Sequence, residues 1–229
     1  MANTLKALSA LLTYPTEELQ AATGAVSETL ERDRVLPEPV LARLHTLIRE
    51  LATGDIYDLQ ERYVLLFDRT RSLSLHLFEH VHGESRDRGQ AMIDLKNLYE
   101  QNGLFIDAGE LPDFLPLFLE FLSLVPAEEG RALLGDARHV LAALGERLQK
   151  RKSAYAAVFE ALTALAGRPD APADEEAPLD EADTDPTDLA ALDAVWAEEP
   201  VTFGPTASAC HDGLVARLRA ARRPAADIQ

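Results

Sequence analysis

Three observations predict an all-α fold. Apolar residues recur at three- and four-residue spacing through most of residues 1–167. Helix start and stop signals (Thr16, Asp55, Pro37, Gly54, Gly103) fall in the gaps between these stripes. No alternating apolar run of useful length occurs, and no turn pair is placed between two such runs. The expectation is one globular bundle of about eight helices.

The elements follow in order. Leu5, Leu8, Leu11 and Leu12 form the first stripe, which Pro15 ends. Thr16 is placed to cap the second, carried by Leu19, Ala22, Val26 and Leu30. Pro37 and Pro39 open a third (Val40, Leu44, Leu47, Ile48, Leu51), stopped by Gly54. Asp55 caps a fourth, whose stripe is Ile56, Leu59, Tyr63, Leu66 and Phe67. Residues 70–83 are less regular. Ser85 or Asp87 then caps a helix through Met92, Leu95 and Tyr99, closed by Asn102-Gly103.

Pro112 opens PDFLPLFLEFLSLV, apolar on nearly every side and therefore a central helix. Residues 127–166 read as two helices. The basic run RLQKRK at 147–152 reads as a solvated helix face. A globular part of this size buries roughly two thirds of the surface its unfolded chain exposes, enough to fold alone.

From residue 168 the composition changes. Twelve Asp or Glu and no Lys or Arg lie between Pro169 and Glu199, so much of the formal charge of −17 belongs to this segment. Few large apolar residues are available to offset ordering entropy, which predicts a largely disordered tail over 168–229. Within it, 189–203 holds Trp196 and Phe203 as a docking segment, and 208–222 is a candidate short helix.

The negative charge disfavours nucleic acid as a partner and favours basic peptides or basic protein patches. Cys210 is the one cysteine, so an intrachain disulfide and a cysteine metal site are both excluded. The N-terminal apolar run is too short for a signal peptide or a membrane span. The expectation is a cytoplasmic protein without stable membrane association.

The densest chemistry lies in YVLLFDRTRSLSLHLFEHVHGESRDRGQAMIDL, residues 63–95, with His76, His80 and His82 beside Glu79 and Glu84. His76-x-x-Glu79-His80 fits H-x-x-E-H, the inverted zinc-peptidase pattern, so a zinc-dependent hydrolase is the alternative reading. Two histidines four apart on a helix share a face, but a third ligand is not evident. No nucleophile elbow or phosphate loop occurs.

What remains suits peptide binding. Tyr63, Phe67, Phe78, Phe114 and Phe118 offer apolar surface. Asp68, Glu79, Glu84, Asp87, Glu110 and Asp113 offer a negative rim. A helical peptide with apolar anchors and basic flanks fits a groove of that kind. The plainer reading of each ring is core packing, which is expected of at least half of them.

FEHVHGESRDRGQAM within that block resembles the signature of the NarJ family, the delta-subunit chaperones of respiratory nitrate reductase. ELPDFLPLFLEFLS at 110–123 is similar to a second family block, and LDAVWAEEPVTF at 192–203 to a third. The resemblance implies an all-helical cytoplasmic chaperone, related to the TorD and DmsD proteins and without catalytic turnover. It implies binding of the apo catalytic subunit, partly through that subunit's N-terminal peptide. The chaperone delays membrane docking and prepares the subunit for a molybdenum cofactor and an iron–sulfur cluster. It implies no cofactor of the chaperone's own, and cofactor-biosynthesis proteins as further partners. It also places the block 78–84, with His80, His82 and Gly83, and the block 112–114 along the peptide groove; Arg88, from the adjoining charged run 83–89, is counted with the site residues. TorD-type relatives carry E-P-x-D-H, whereas Glu110-Leu-Pro-Asp113-Phe114 has no histidine, which points to the nitrate reductase branch.

Overall fold

The structure, a computed structural model, describes residues 1–82, 86–106 and 109–167, with only the backbone of His82, Arg86 and Asp87. Ten α-helices and no β-strand are present among the described residues. None of these helices is long and apolar enough to cross a membrane.

The first four helices follow the local signals closely. α1 is Ala2–Leu11 and α2 is Glu17–Asp33, where the Thr16 hydroxyl accepts from the Leu19 amide at 3.2 Å. α3 is Glu38–Thr53, with a proline in its first turn. Gly54 ends it by donating to the Glu50 carbonyl, so closely that a Cβ there would lie 2.8 Å from that oxygen. α4 is Ile56–Tyr63, where the Asp55 carboxylate accepts from the Tyr57 and Asp58 amides. The helix then widens into a single π turn, Val64–Asp68, in which the Arg69 amide reaches the Val64 carbonyl at 3.1 Å. A 3₁₀ turn at Arg71–Leu73 follows.

The remaining elements are α5 (Glu79–His82), α6 (Arg86–Gln101), α7 (Leu115–Leu122), α8 (Ala127–Asp136), α9 (Arg138–Lys150) and α10 (Ala156–Leu165). Three expectations are corrected here. The apolar helix starts at Leu115 rather than Pro112, because residues 113–115 are drawn into extended pairing with another segment. Residues 127–166 make three helices rather than two, since Ala137 interrupts the turn with ψ near zero. Of the two expected caps of α6, Asp87 lies inside its first turn, while Ser85, directly before its first residue, is outside the described residues.

α1 packs on α2 and α7, α3 on α2 and α10, and α9 on α10. The last pair is antiparallel: the Arg138 guanidinium at the start of α9 donates to the Thr163 and Gly167 carbonyls at the end of α10. Gly145 permits their close approach, for a Cβ there would sit 3.2 Å from that of Phe159. α7 and α10 are the most enclosed helices, with Phe118, Phe121 and Phe159 fully buried in one continuous core. The basic run at the end of α9 is only partly a solvated face. Arg147 is buried and donates to the Ser72 carbonyl at 2.6 Å, tying the 3₁₀ turn to α9. The expected tail at 168–229, its segment 189–203 and the helix at 208–222 lie outside the described residues.

Candidate functional site

The irregular segment 70–83 is organised by one long-range pairing. Leu77 donates to the Asp113 carbonyl at 3.0 Å, and Leu115 donates to the Leu75 carbonyl at 2.8 Å. His76 and Phe114 thereby face each other in an isolated antiparallel bridge, with ring centroids 5.4 Å apart. The Tyr99 hydroxyl fixes the approach by donating to the Pro112 carbonyl at 2.8 Å.

Asp113 is the centre of this joint. Its carboxylate is fully buried, which is tolerable only with partners. Oδ2 accepts from the Phe78 amide at 3.1 Å, and Oδ1 lies 3.2 Å from His76 Nδ1. That hydrogen bond to Asp113 raises the His76 pKa above its ordinary value, outweighing the burial that would lower it. His80 behaves oppositely: burial pushes its pKa down, and its Nε2 donates to the Ser74 carbonyl at 2.8 Å. A carbonyl can only accept, so Nε2 carries the proton.

Towards solvent, Glu79 pairs with Arg88 at 3.2 Å. Burial works against ionising Glu79, but a Ser74 hydrogen bond, Arg88 and His76 together hold its carboxyl below the usual range. Burial pushes the Asp68 carboxyl up, with His76 partly offsetting it. Asp68, His76, Glu79 and Arg88 therefore make a mixed-charge face, net negative while His76 is neutral, with half-buried Phe114 set into it.

The aromatic residues named from the sequence are placed differently. Tyr63, Phe67, Phe78 and Phe118 are buried and supply packing, not surface. Tyr63 donates to the Leu12 carbonyl at 2.8 Å and stacks with Phe67, which meets Tyr155 edge-on at 5.1 Å. Burial likewise corrects His80 and Asp113: both face inward and hold backbone groups. Asp68, Glu79, Arg88, Glu110 and Phe114 stay at least partly accessible. Gly83 and Glu84, and the side chains of His82 and Asp87, lie outside the described residues. The link between His76 and Asp113 is silent in the sequence, because 37 residues separate them and no local pattern joins the two.

The zinc alternative loses its geometry. His76 sits in the extended bridge, and α5 begins only at Glu79, so His76 and His80 do not share a helix face. Each ring nitrogen described above is engaged by Asp113 or by a backbone carbonyl. Among the described residues no group of three His, Cys, Asp or Glu gathers as a metal site. Fixed charges and an aromatic edge on a stapled surface are suited to recognition.

Comparison with known proteins agrees. Residues 33–161 match the family model described as nitrate reductase delta subunit. The chain is 46% identical over 197 residues to the nitrate reductase molybdenum cofactor assembly chaperone NarJ of Escherichia coli strain K12, covering 86% of this chain and 83% of that one. It is 40% identical over 199 residues to NarW of the same strain, named a probable nitrate reductase molybdenum cofactor assembly chaperone, covering 87% and 83%. A crystal structure of a candidate redox enzyme maturation protein from Archaeoglobus fulgidus superposes with a TM-score of 0.54. At 23% identity, over 73% of this chain and 94% of that one, it is a likeness of fold.

Proposed function

The chain belongs to the nitrate reductase delta-subunit family, and from that membership we propose that it is a dedicated assembly chaperone for a respiratory nitrate reductase. The observation that carries the reading is the 46% identity to a nitrate reductase molybdenum cofactor assembly chaperone across most of both chains. The protein binds the apo catalytic subunit in the cytoplasm, including its N-terminal peptide, and holds it competent for the molybdenum cofactor and an iron–sulfur cluster. The cofactor is cargo of the partner, and this chain contributes binding rather than turnover. Cofactor-biosynthesis proteins are transient partners in the same reading.

The mixed-charge face at Asp68, Glu79, Arg88, Glu110 and Phe114 is the part of the proposed peptide site that the folded chain presents. Tyr63, Phe67, Phe78, His80, Asp113 and Phe118 support it from within. A basic, amphipathic helical peptide suits such a face: apolar contact at Phe114, cations against Asp68, Glu79 and Glu110. His82, Gly83 and Glu84 belong to the same proposal by family resemblance, and Asp87 as a residue of the negative rim.

Complementation tests the function. In a host lacking its own delta-subunit chaperone, expressing this chain with its cognate nitrate reductase restores activity and molybdenum content of the catalytic subunit. Unchanged, molybdenum-poor enzyme would remove the proposal.

A further inference from the structure

A cleft of about 500 Å³ opens over the π turn, lined by Tyr14, Gln60, Glu61, Val64, Leu65, Asp68 and Arg69. Its construction is specific. The wide turn follows α4 and keeps Tyr63, Leu66 and Phe67 on the core side while Val64 and Asp68 stay out. π turns of this kind recur at functional positions because they redirect side chains without ending the helix. From the other wall, Tyr14 leans edge-on against buried Tyr63 at 5.6 Å. The Gln60 side chain anchors that wall by donating to the Pro15 carbonyl at 2.9 Å.

The result is an apolar floor open to solvent: Tyr14 is 44% exposed and Val64 38%, with Leu65 half-buried beside them. The rim carries Glu61 and Asp68 against Arg69. Burial raises the pKa of the Tyr63 hydroxyl beneath, and Asp68 on the rim adds to it, with Glu110 a weaker contributor from outside the cleft. Asp68 also feels His76, which makes the cleft continuous with the charged face described above.

We propose that this cleft receives one large apolar side chain of a bound helical segment, seated between Tyr14 and Val64, with a Lys or Arg one turn away meeting Glu61 and Asp68. The occupant follows from the chemistry of the walls. An apolar floor rewards an aliphatic or aromatic anchor, and two carboxylates at its edge favour a cation over an anion. Helical spacing of three or four residues puts an anchor and a cation on one face, matching Glu61 and Asp68, which stand three and four residues from Val64. The inference rests on the peptide-binding reading and names a subsite within it.

The test uses the full chain and a synthetic peptide from the N-terminus of the cognate nitrate reductase catalytic subunit. Affinity is measured by calorimetry for wild type, Tyr14→Ala, Val64→Asp and Leu124→Asp. Leu124 is also an exposed apolar residue, but it lies just past the C-terminal end of α7 and does not line the cleft. Tyr14→Ala and Val64→Asp weaken binding about tenfold or more, the scale of losing one buried anchor. Leu124→Asp leaves it unchanged, and methyl chemical shifts of Val64 move on titration. Glu61→Lys reduces both the affinity and its dependence on salt. A wild type that binds, with affinity unaltered in Tyr14→Ala and Val64→Asp, overturns the cleft and spares the peptide-binding reading. A wild type that does not bind the peptide overturns both.

Discussion

At the residue scale, Asp113 decides how the proposed recognition surface holds together. It neutralises two inward needs at once, the Phe78 amide and the His76 ring, from a fully buried position. Asp113→Ala leaves that amide unpaired and should cost about 3 kcal/mol in urea unfolding. Asp113→Asn keeps the volume, so its effect isolates charge: the His76 pKa should fall, read by NMR titration. The linked stability has a definite sign. His76 has a folded pKa raised above 6.5, so its contribution is present below that value and fades as pH rises through the folded pKa. His80 has a folded pKa lowered from 6.5. There the unfolded chain binds the extra proton, so stability rises with pH between the folded value and 6.5. His80→Gln should therefore flatten the acid limb of a stability profile, and Asp113→Asn should flatten the limb above 6.5. The same scale separates two mutations that look equivalent in sequence. Phe78→Ala removes a fully buried ring and should destabilise by ~3–5 kcal/mol, so a loss of binding there reports folding. Glu79→Gln removes the charge paired with Arg88 but keeps a hydrogen-bonding side chain of the same size and should cost about 1–2 kcal/mol, less than the ring deletion, so a loss of peptide affinity in a variant that stays folded reports the surface.

At the scale of elements, legibility follows the range of the interaction. Thr16 and Asp55 cap the helices they precede, and Gly54 stops α3, because capping is settled within four residues. Pro112 misleads because its context is not local. Tyr99 takes its carbonyl, the Phe114 amide closes a turn on Leu111, and residues 113–115 pair with the 75–77 segment, so the helix begins only at Leu115, with Pro116 in its first turn. The π turn at 64–68 is equally silent in sequence: apolar spacing there is compatible with an ordinary helix. The aromatic cluster shows the limit for the site. Composition alone does not tell a groove wall from a core wall, and Tyr63, Phe67 and Tyr155 turn out to touch one another. Gly145 carries no start, stop or stripe signal within the α9 sequence, yet it sets the α9–α10 distance. Gly145→Val should force these helices apart and cost about 1–3 kcal/mol by thermal unfolding. Gly89→Val, in α6 with open space around it, replaces the poorer helix former and should leave stability unchanged or raise it by ~0.5 kcal/mol or less.

At the scale of the whole molecule, charge is divided unevenly along the chain. Residues 1–168 carry 18 Lys or Arg against 25 Asp or Glu, whereas 169–199 carry twelve acids and no base. The cleft and face argued above are themselves rimmed by Glu61, Asp68, Glu79 and Glu110. Tail and site thus have the same sign, so the tail is poorly matched to occupy the site in place of a basic peptide. Its electrostatic effect adds to the site's own: a longer-reaching negative field that draws basic partners in. Such steering acts on association rate and decays within a Debye length, about 8 Å at physiological salt. Deleting 168–229 should leave a folded bundle, since the helices and core described above end by Gly167. Its far-ultraviolet circular dichroism should keep a helical spectrum and its unfolding should stay cooperative. Stopped-flow association with the basic peptide should slow severalfold at low salt, converge with the full chain near 1 M salt, and show a nearly unchanged dissociation rate. Tighter binding on deletion would instead identify the tail as a competitor, and the charge argument would then fail at this scale.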